Sequence, residues 1–164
     1  MDSTVAFKEW AAVCLALADG SQTVVLRKGG IHEAGGAFRP EFDRFWLYPT
    51  HFHEQQQAGL KPAFLPLLEL AERHRPAAGM VELSHVVEVT GVRHLTDLDA
   101  ALALDGRHVL TADVVRQRFH YRTPGLYVLD VRVTPATRRV VPERPEYVGC
   151  KTWVHLVATD LEPE

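Results

Sequence analysis

Three stretches carry residue types and spacings that could do chemistry. In Leu26-Arg27-Lys28-Gly29-Gly30-Ile31, paired glycines let successive backbone N–H groups converge on an anion, and Arg27 and Lys28 add positive charge. The same string also fits a strand-ending turn with solvated basic side chains. It lacks the Gly-x-x-x-x-Gly-Lys-Ser/Thr pattern of a phosphate loop, and no Gly-x-Gly-x-x-Gly occurs in the chain. In Phe45-Trp46-Leu47-Tyr48-Pro49-Thr50-His51-Phe52-His53-Glu54, an extended backbone would put His51 and His53 on one side, as a zinc or manganese site needs. The sequence names no third ligand, and Tyr48, Thr50, His51, His53 and Glu54 could equally line a polar pocket. In Arg116-Gln117-Arg118-Phe119-His120-Tyr121-Arg122, an extended chain would align Arg116, Arg118, His120 and Arg122 as a phosphate-tracking stripe backed by aromatics. A helix continuing from a Thr111 cap would disperse that stripe.

Other chemistries are set aside. There is no Gly-x-Ser-x-Gly elbow, and Cys14, on an apolar stretch, fits packing rather than nucleophilic attack. Cys150 stands beside a strand, and the two cysteines give neither a disulfide framework nor zinc-finger spacing. His85 and His155 lie on apolar alternations and read as core histidines.

Composition bounds the answer further. At 164 residues the chain suits a single domain, 1–164, able to bury a core without staples. A 46% hydrophobic and 24% charged composition with mean hydropathy of −0.09 excludes disordered and fibrous classes. Net charge is −3, so no global affinity for polyanions is written in the chain, but residues 111–145 hold seven basic and three acidic groups. Nine histidines would take the formal charge to +6 if all were protonated. The longest apolar segment, Ala11 to Ala18, is far short of the ~20 residues of a membrane span. The start Met1-Asp2-Ser3-Thr4 lacks a signal peptide's basic region, so the expectation is a cytoplasmic protein without membrane contact.

The elements that must position these residues are read from periodicity. Phe7, Trp10, Cys14 and Leu17 recur at helical spacing, with Ser3 or Thr4 as cap and Asp19-Gly20 as stop. Thr23 to Arg27 and Arg44 to Tyr48 read as strands, the second stopped by Pro49, and Pro62 to Arg73 as a helix. Val81, Leu83, His85, Val87 and Val89 alternate with polar residues, as do Tyr127, Leu129, Val131 and Val133, and Thr152 to Val157 alternates too. Thr96 and Thr111 mark two short helices. Two-faced alternation favours antiparallel pairing. The expected class is therefore α+β: an antiparallel or mixed sheet, or a small barrel, with three to four flanking helices.

Taken together, Phe7-Lys8-Glu9-Trp10, Leu26-Arg27-Lys28-Gly29-Gly30-Ile31, Phe45-x-Leu47-Tyr48-Pro49-Thr50 with His53, Leu60-Lys61-Pro62, and Tyr147-x-Gly149-Cys150-x-Thr152-Trp153-Val154 resemble the bacterial domain of unknown function family 1802. Thr152 stands where that family's Gly-Cys-x-Ser-Trp segment has Ser, and the hydroxyl is kept. The resemblance brings no activity with it. It does mark Lys8, Glu9, Tyr48, Thr50, His51 and His53 as a shared polar cleft, because core packing does not require such residue types. The strand order of the second half also resembles small RNA-binding barrels of the pseudouridine-synthase-associated type.

The leading expectation is a module that binds nucleic acid or another phosphate-bearing ligand through Arg27, Lys28, Gly29 and Gly30, with Arg116, Arg118 and Arg122 extending the track. The first alternative is a metal-dependent phosphodiesterase or nuclease using Glu9, Glu33, Asp43, His51, His53 and Glu54, with Lys28 facing the developing charge. The second is a protein-interaction module presenting Phe45 to Tyr48. No metal site is assigned. Cofactor, oligomeric state and whether the chain is an enzyme are left open by the sequence.

Overall fold

The structure is a computed structural model and describes residues 3–29, 31–34, 37–149 and 151–162. It opens with a strand, β1 (Val5–Trp10), where helical spacing had predicted a helix. Val5, Ala6 and Phe7 are buried in succession because the strand is covered on both faces. Only then does α1 (Ala11–Asp19) begin, burying Ala11, Ala12, Val13, Cys14, Ala16 and Leu17 and ending at Gly20 with φ +85°. The periodicity of Phe7 and Trp10 with Cys14 and Leu17 thus spans a strand–helix corner, and tertiary burial overrides it.

Next come β2 (Val24–Arg27), the hairpin β3 (Ile31–Ala34) and β4 (Ala37–Pro40), and β5 (Arg44–Thr50). Pro49 does not stop β5. It lies opposite Glu9 in the β1 pairing, and β6 has left the ladder beyond Trp46, which leaves room for a residue without an N–H. α2 (His53–Gly59) follows, and the predicted helix at Pro62 is a 3-10 turn (Pro62–Phe64) leading into α3 (Leu65–Arg73). The second half holds β6 (Met80–Leu95), α4 (Leu98–Leu102), α5 (Ala112–His120), β7 (Leu126–Pro142) and the short β8 (Trp153–His155). Thr111 caps α5, accepting from the Val114 N–H, whereas α4 is capped by Asp97 rather than Thr96.

Six strands form one mixed sheet, β2-β7-β6-β5-β1-β8, curled into a half-barrel; β1 and β5 run parallel and the other pairs antiparallel. The α+β class with a mixed sheet and flanking helices is therefore observed. The larger core gathers Phe7, Leu47, Val25, Val87 and Leu129 with α1, α3 and α5, while Ala6, Trp46, Tyr48, Leu83, Val141 and Tyr147 form a second cluster.

Two irregularities in the β6–β7 pairing reset the alternation. Between Leu83↔Arg139 and His85↔Pro135, β7 has three intervening residues against one on β6; between Val89↔Val131 and Gly91↔Asp130, β6 has the extra Thr90. As a result His85 is half-buried, with Nδ1 2.9 Å from the Ser84 hydroxyl, instead of lying in the apolar stripe. His155 is likewise exposed on β8, edge-on to Phe42, and Tyr127 is only partly covered, stacked on His94.

Candidate functional site

The parallel pair β1–β5 ends where β1 turns sharply into α1. Ligands of sheets with parallel strands tend to sit beyond the strands' carboxyl ends. Here those ends contribute Lys8, Glu9, Trp10, Tyr48, Pro49 and Thr50 to the floor of a cleft of about 610 Å³. Arg27 enters from β2 and Arg118 from α5; the Arg75–Met80 turn, Glu143, Val148, Gly149 and Lys151 close the rest, with His51, Phe52 and Gln55 at one side. The lining holds five basic residues (Lys8, Arg27, Arg75, Arg118, Lys151) and two acidic ones (Glu9, Glu143).

Each polar floor residue is held by a neighbouring element. Glu9 is 5% exposed and its Oε1 accepts from the Trp10 N–H at 2.8 Å, while Gln56, fully buried, accepts from the Ala12 N–H at 3.1 Å and donates to the Thr50 carbonyl at 3.0 Å. These two side chains serve the orphan donors at the start of α1 and fix the corner. The Thr50 hydroxyl donates to the Glu9 carbonyl at 3.2 Å. The Tyr48 hydroxyl donates to Glu143 at 3.4 Å, and burial together with that carboxylate pushes the phenol well above its ordinary range. Lys8 Nζ donates to the Gly149 carbonyl at 3.1 Å and lies 5.5 Å from the Tyr48 ring centre.

Arg27 is the central cation. Its guanidinium lies 4.7 Å from the Phe7 ring centre and donates to the Thr152 hydroxyl, yet its Nε is buried without a hydrogen-bond partner. Burial lowers its pKa, Glu9 opposes that shift, and Arg118 reinforces it. Arg118 donates to the Leu26 carbonyl at 3.1 Å and lies 5.6 Å from the Trp10 ring centre. His51 Nδ1 is also buried and unpartnered, and burial, then Arg75, lower its pKa, with Glu72 and Glu143 pulling the other way.

The cleft does not end at Arg118. Trp10, Gln55 and Arg118 also line a second groove, of about 900 Å³, that runs along α5 past Arg116, Gln117, His120 and Tyr121. Phe52 and Tyr121, 57% and 56% exposed, are the large exposed aromatics of the two depressions.

The structure brings Arg27, Lys8, Glu9, Tyr48, Thr50, His51 and Arg118 together in one cleft, and leaves others elsewhere. Lys28 turns away: its Nζ donates to the carbonyls of Phe119 (2.7 Å), Thr123 and Gly125 (2.6 Å), tying the end of α5 to the start of β7. Gly29 is exposed beside it; Gly30, Cys150 and the Glu33 side chain lie outside the described residues. The extended stripe Arg116–Arg122 is a correction, since α5 runs through His120. Arg116 pairs with Asp113 at 3.2 Å, and Arg122, at φ +60°, lies over the Tyr121 ring. The His51/His53 pairing on an extended chain is corrected too. β5 stops at Thr50 and α2 starts at His53, which sits exposed 3.5 Å from Glu72. Among the described residues no three His, Cys, Asp or Glu side chains are grouped to hold a metal ion. Cys14, buried, has its thiol pKa pushed well up by desolvation, in keeping with packing. The sequence reading missed Arg75 and Lys151. A basic residue before Pro76, and one beside Gly149, were the available signals, each at a loop that only the tertiary fold carries to the cleft.

The fold and site define a half-barrel α+β protein with a basic, aromatic-lined cleft at the carboxyl ends of its parallel strands. Residues 6–164 match the family model described as "Domain of unknown function (DUF1802)", and the chain belongs to that family. No protein with a curated description is similar to it in sequence. Among solved structures it is similar to ASCH from Zymomonas mobilis, at 14% identity over 96% of this chain and 90% of that one, with a TM-score of 0.58. Two mutants of the same Zymomonas mobilis protein superpose with TM-scores of 0.57 and 0.56, at 15% and 14% identity, over 96% of this chain and 90% and 92% of theirs. At this identity the likeness is one of fold. No helix among the described residues is long and apolar enough to cross a membrane.

Proposed function

We propose that the protein binds a phosphate-bearing ligand in this cleft, and that the ligand is a short single strand of nucleic acid. The observation that carries the reading is Arg27: a guanidinium desolvated in a cleft of five cations and two carboxylates, with Nε unpartnered. A buried donor left without an acceptor costs about 1–3 kcal/mol, and a phosphate oxygen would remove that cost. Trp10, Phe52 and Tyr121 supply ring faces on which bases stack, with Arg118 between the two depressions to meet the intervening phosphate. The ASCH fold of the Zymomonas mobilis protein is compatible with this reading and adds no ligand to it.

Fluorescence anisotropy with labelled single- and double-stranded RNA and DNA at two salt concentrations tests it. Single strands bind, with affinity falling as salt rises, and duplexes bind less well. No binding to any of the four probes refutes the reading.

A further inference from the structure

A third depression, of about 240 Å³, lies at the opposite end of β5 from Tyr48 and shares no lining residue with the cleft or the groove along α5. It is formed where three residues of β7, Ala136 to Arg138, stand against the single Ser84 of β6, so that Thr134, Thr137 and Arg139 are turned toward Arg44 on β5. Bulges of this kind re-aim side chains and recur beside functional sites.

The donors here exceed the acceptors. Among the described residues no carboxylate lines the pocket. Arg44 Nε is buried and unpartnered, and among the described residues its one ionic neighbour is Glu88, 3.9 Å from Nη1 and shared with Arg132. Arg139 donates from Nε to the Leu161 carbonyl at 3.2 Å, and its two terminal nitrogens have no partner among the described residues. Thr134 and Thr137, both exposed, add two hydroxyls to the lining. Two guanidinium groups sharing one small pocket repel each other unless an anion lies between them.

We propose that this pocket is an oxyanion site that takes a phosphate group between Arg44 and Arg139, with the Thr134 and Thr137 hydroxyls completing the shell. The donors come from two strands and from both sides of a bulge, an arrangement that suits a tetrahedral anion. A planar carboxylate is satisfied by a single bidentate guanidinium. The site is independent of the cleft and of the nucleic-acid reading.

Trp46 gives a local reporter, because it lines the pocket and its indole N–H donates to the Ser3 carbonyl at 2.9 Å. The experiment is a titration of the full chain with inorganic phosphate, and separately with glycerol phosphate, following the Trp46 indole N–H by NMR. Sodium chloride and sodium acetate at matched ionic strength serve as controls. Saturable movement of that resonance with either phosphate is expected. It is weakened at least tenfold in Arg44→Gln and in Arg139→Gln, and kept in Arg138→Gln and in the cleft variant Arg118→Ala. A response to inorganic phosphate alone identifies a free ion, and an equal response to glycerol phosphate an esterified one. Movement with chloride or acetate equal to that with phosphate overturns the proposal. So does an unchanged phosphate response in folded Arg44→Gln and Arg139→Gln.

Discussion

The guanidinium of Arg118, on α5, lies 5.6 Å from the ring centre of Trp10, the last residue of β1. The contact joins a helix from the second half of the chain to the corner that ends the first strand, at the boundary shared by both depressions. A bound strand would have to pass over this pair, so it sets the first prediction. Arg118→Ala lowers single-strand affinity for every base sequence and reduces the log–log salt slope by about 0.7, the value for one lost phosphate contact on a single strand. Anisotropy titrations at several salt concentrations measure it; an unchanged slope removes Arg118 from the interface.

Lys28 is expected to behave differently although it neighbours Arg27. Its ammonium serves three carbonyls that bind the end of α5 to the start of β7. Lys28→Ala therefore lowers unfolding free energy by about 1–2 kcal/mol while leaving the salt slope of binding unchanged. Urea denaturation and the same anisotropy series separate the two effects. A slope that falls as it does for Arg118→Ala would return Lys28 to the ligand.

Trp10 is seated by a glycine. A Cβ at Gly59 would lie 2.7 Å from Trp10 Cη2 and 3.0 Å from a Val114 methyl, so neither neighbour can be cleared without moving α5 or the indole. Gly59→Ala is expected to cost about 1–3 kcal/mol by overpacking and to weaken binding with it. A variant as stable as the parent, with full affinity, would show that the indole has room to move.

His108 makes stability depend on pH. It is 2% exposed, its Nδ1 accepts from the Leu110 N–H at 3.1 Å, and Nε2 is buried without a partner. Burial first, then the Lys61 and Arg118 cations, lower its pKa to about 4, with Asp105 pulling the other way. The unfolded chain takes up the proton near pH 6.5 and the folded one only near 4. This contribution is therefore complete above pH 6.5 and is lost as pH falls from there toward 4, by about 2 kcal/mol at pH 5. Urea midpoints at pH 7 and pH 5 should converge in His108→Asn relative to the parent; an equal loss in both proteins would place the titrating group elsewhere.

Much of the fold could be read from local pattern. β2, β5, α3 and the Thr111-capped α5 follow from β-branched runs, aromatic strands, apolar spacing and a side-chain cap, each signalled within a few residues. β1 was misread because its residues are buried on both faces, which erases the alternation of two, while Phe7 and Trp10 continue in helical phase into α1. His85 was misplaced because the irregularity at Ser84 resets side-chain direction without leaving a mark in hydrophobicity. For the cleft, Lys8, Glu9, Tyr48, Thr50 and His51 could be grouped because they are polar types in family-like strings that core packing does not require; the β1–β5 pairing, which the sequence did not signal, is what sets the first four at adjacent register positions. Arg75, Lys151 and Arg118 arrive from distant loops and a helix, and no spacing in the chain encodes that meeting.

The pairing of β1 with both β5 and β8 has a kinetic consequence. Phe7 lies opposite Leu47 on one side and Trp153 on the other, with Phe7, Phe45 and Trp153 in mutual ring contact at 5.0–5.2 Å. β1 must therefore wait until β8 has been made before its outer edge is covered, and such distant pairings are closed slowly. Thr152, which receives the Arg27 guanidinium, comes with that last strand. The cleft's central cation is thus set in place only once the segment from Thr152 through β8 has been made, so a nascent chain should gain ligand affinity in one step after that segment emerges.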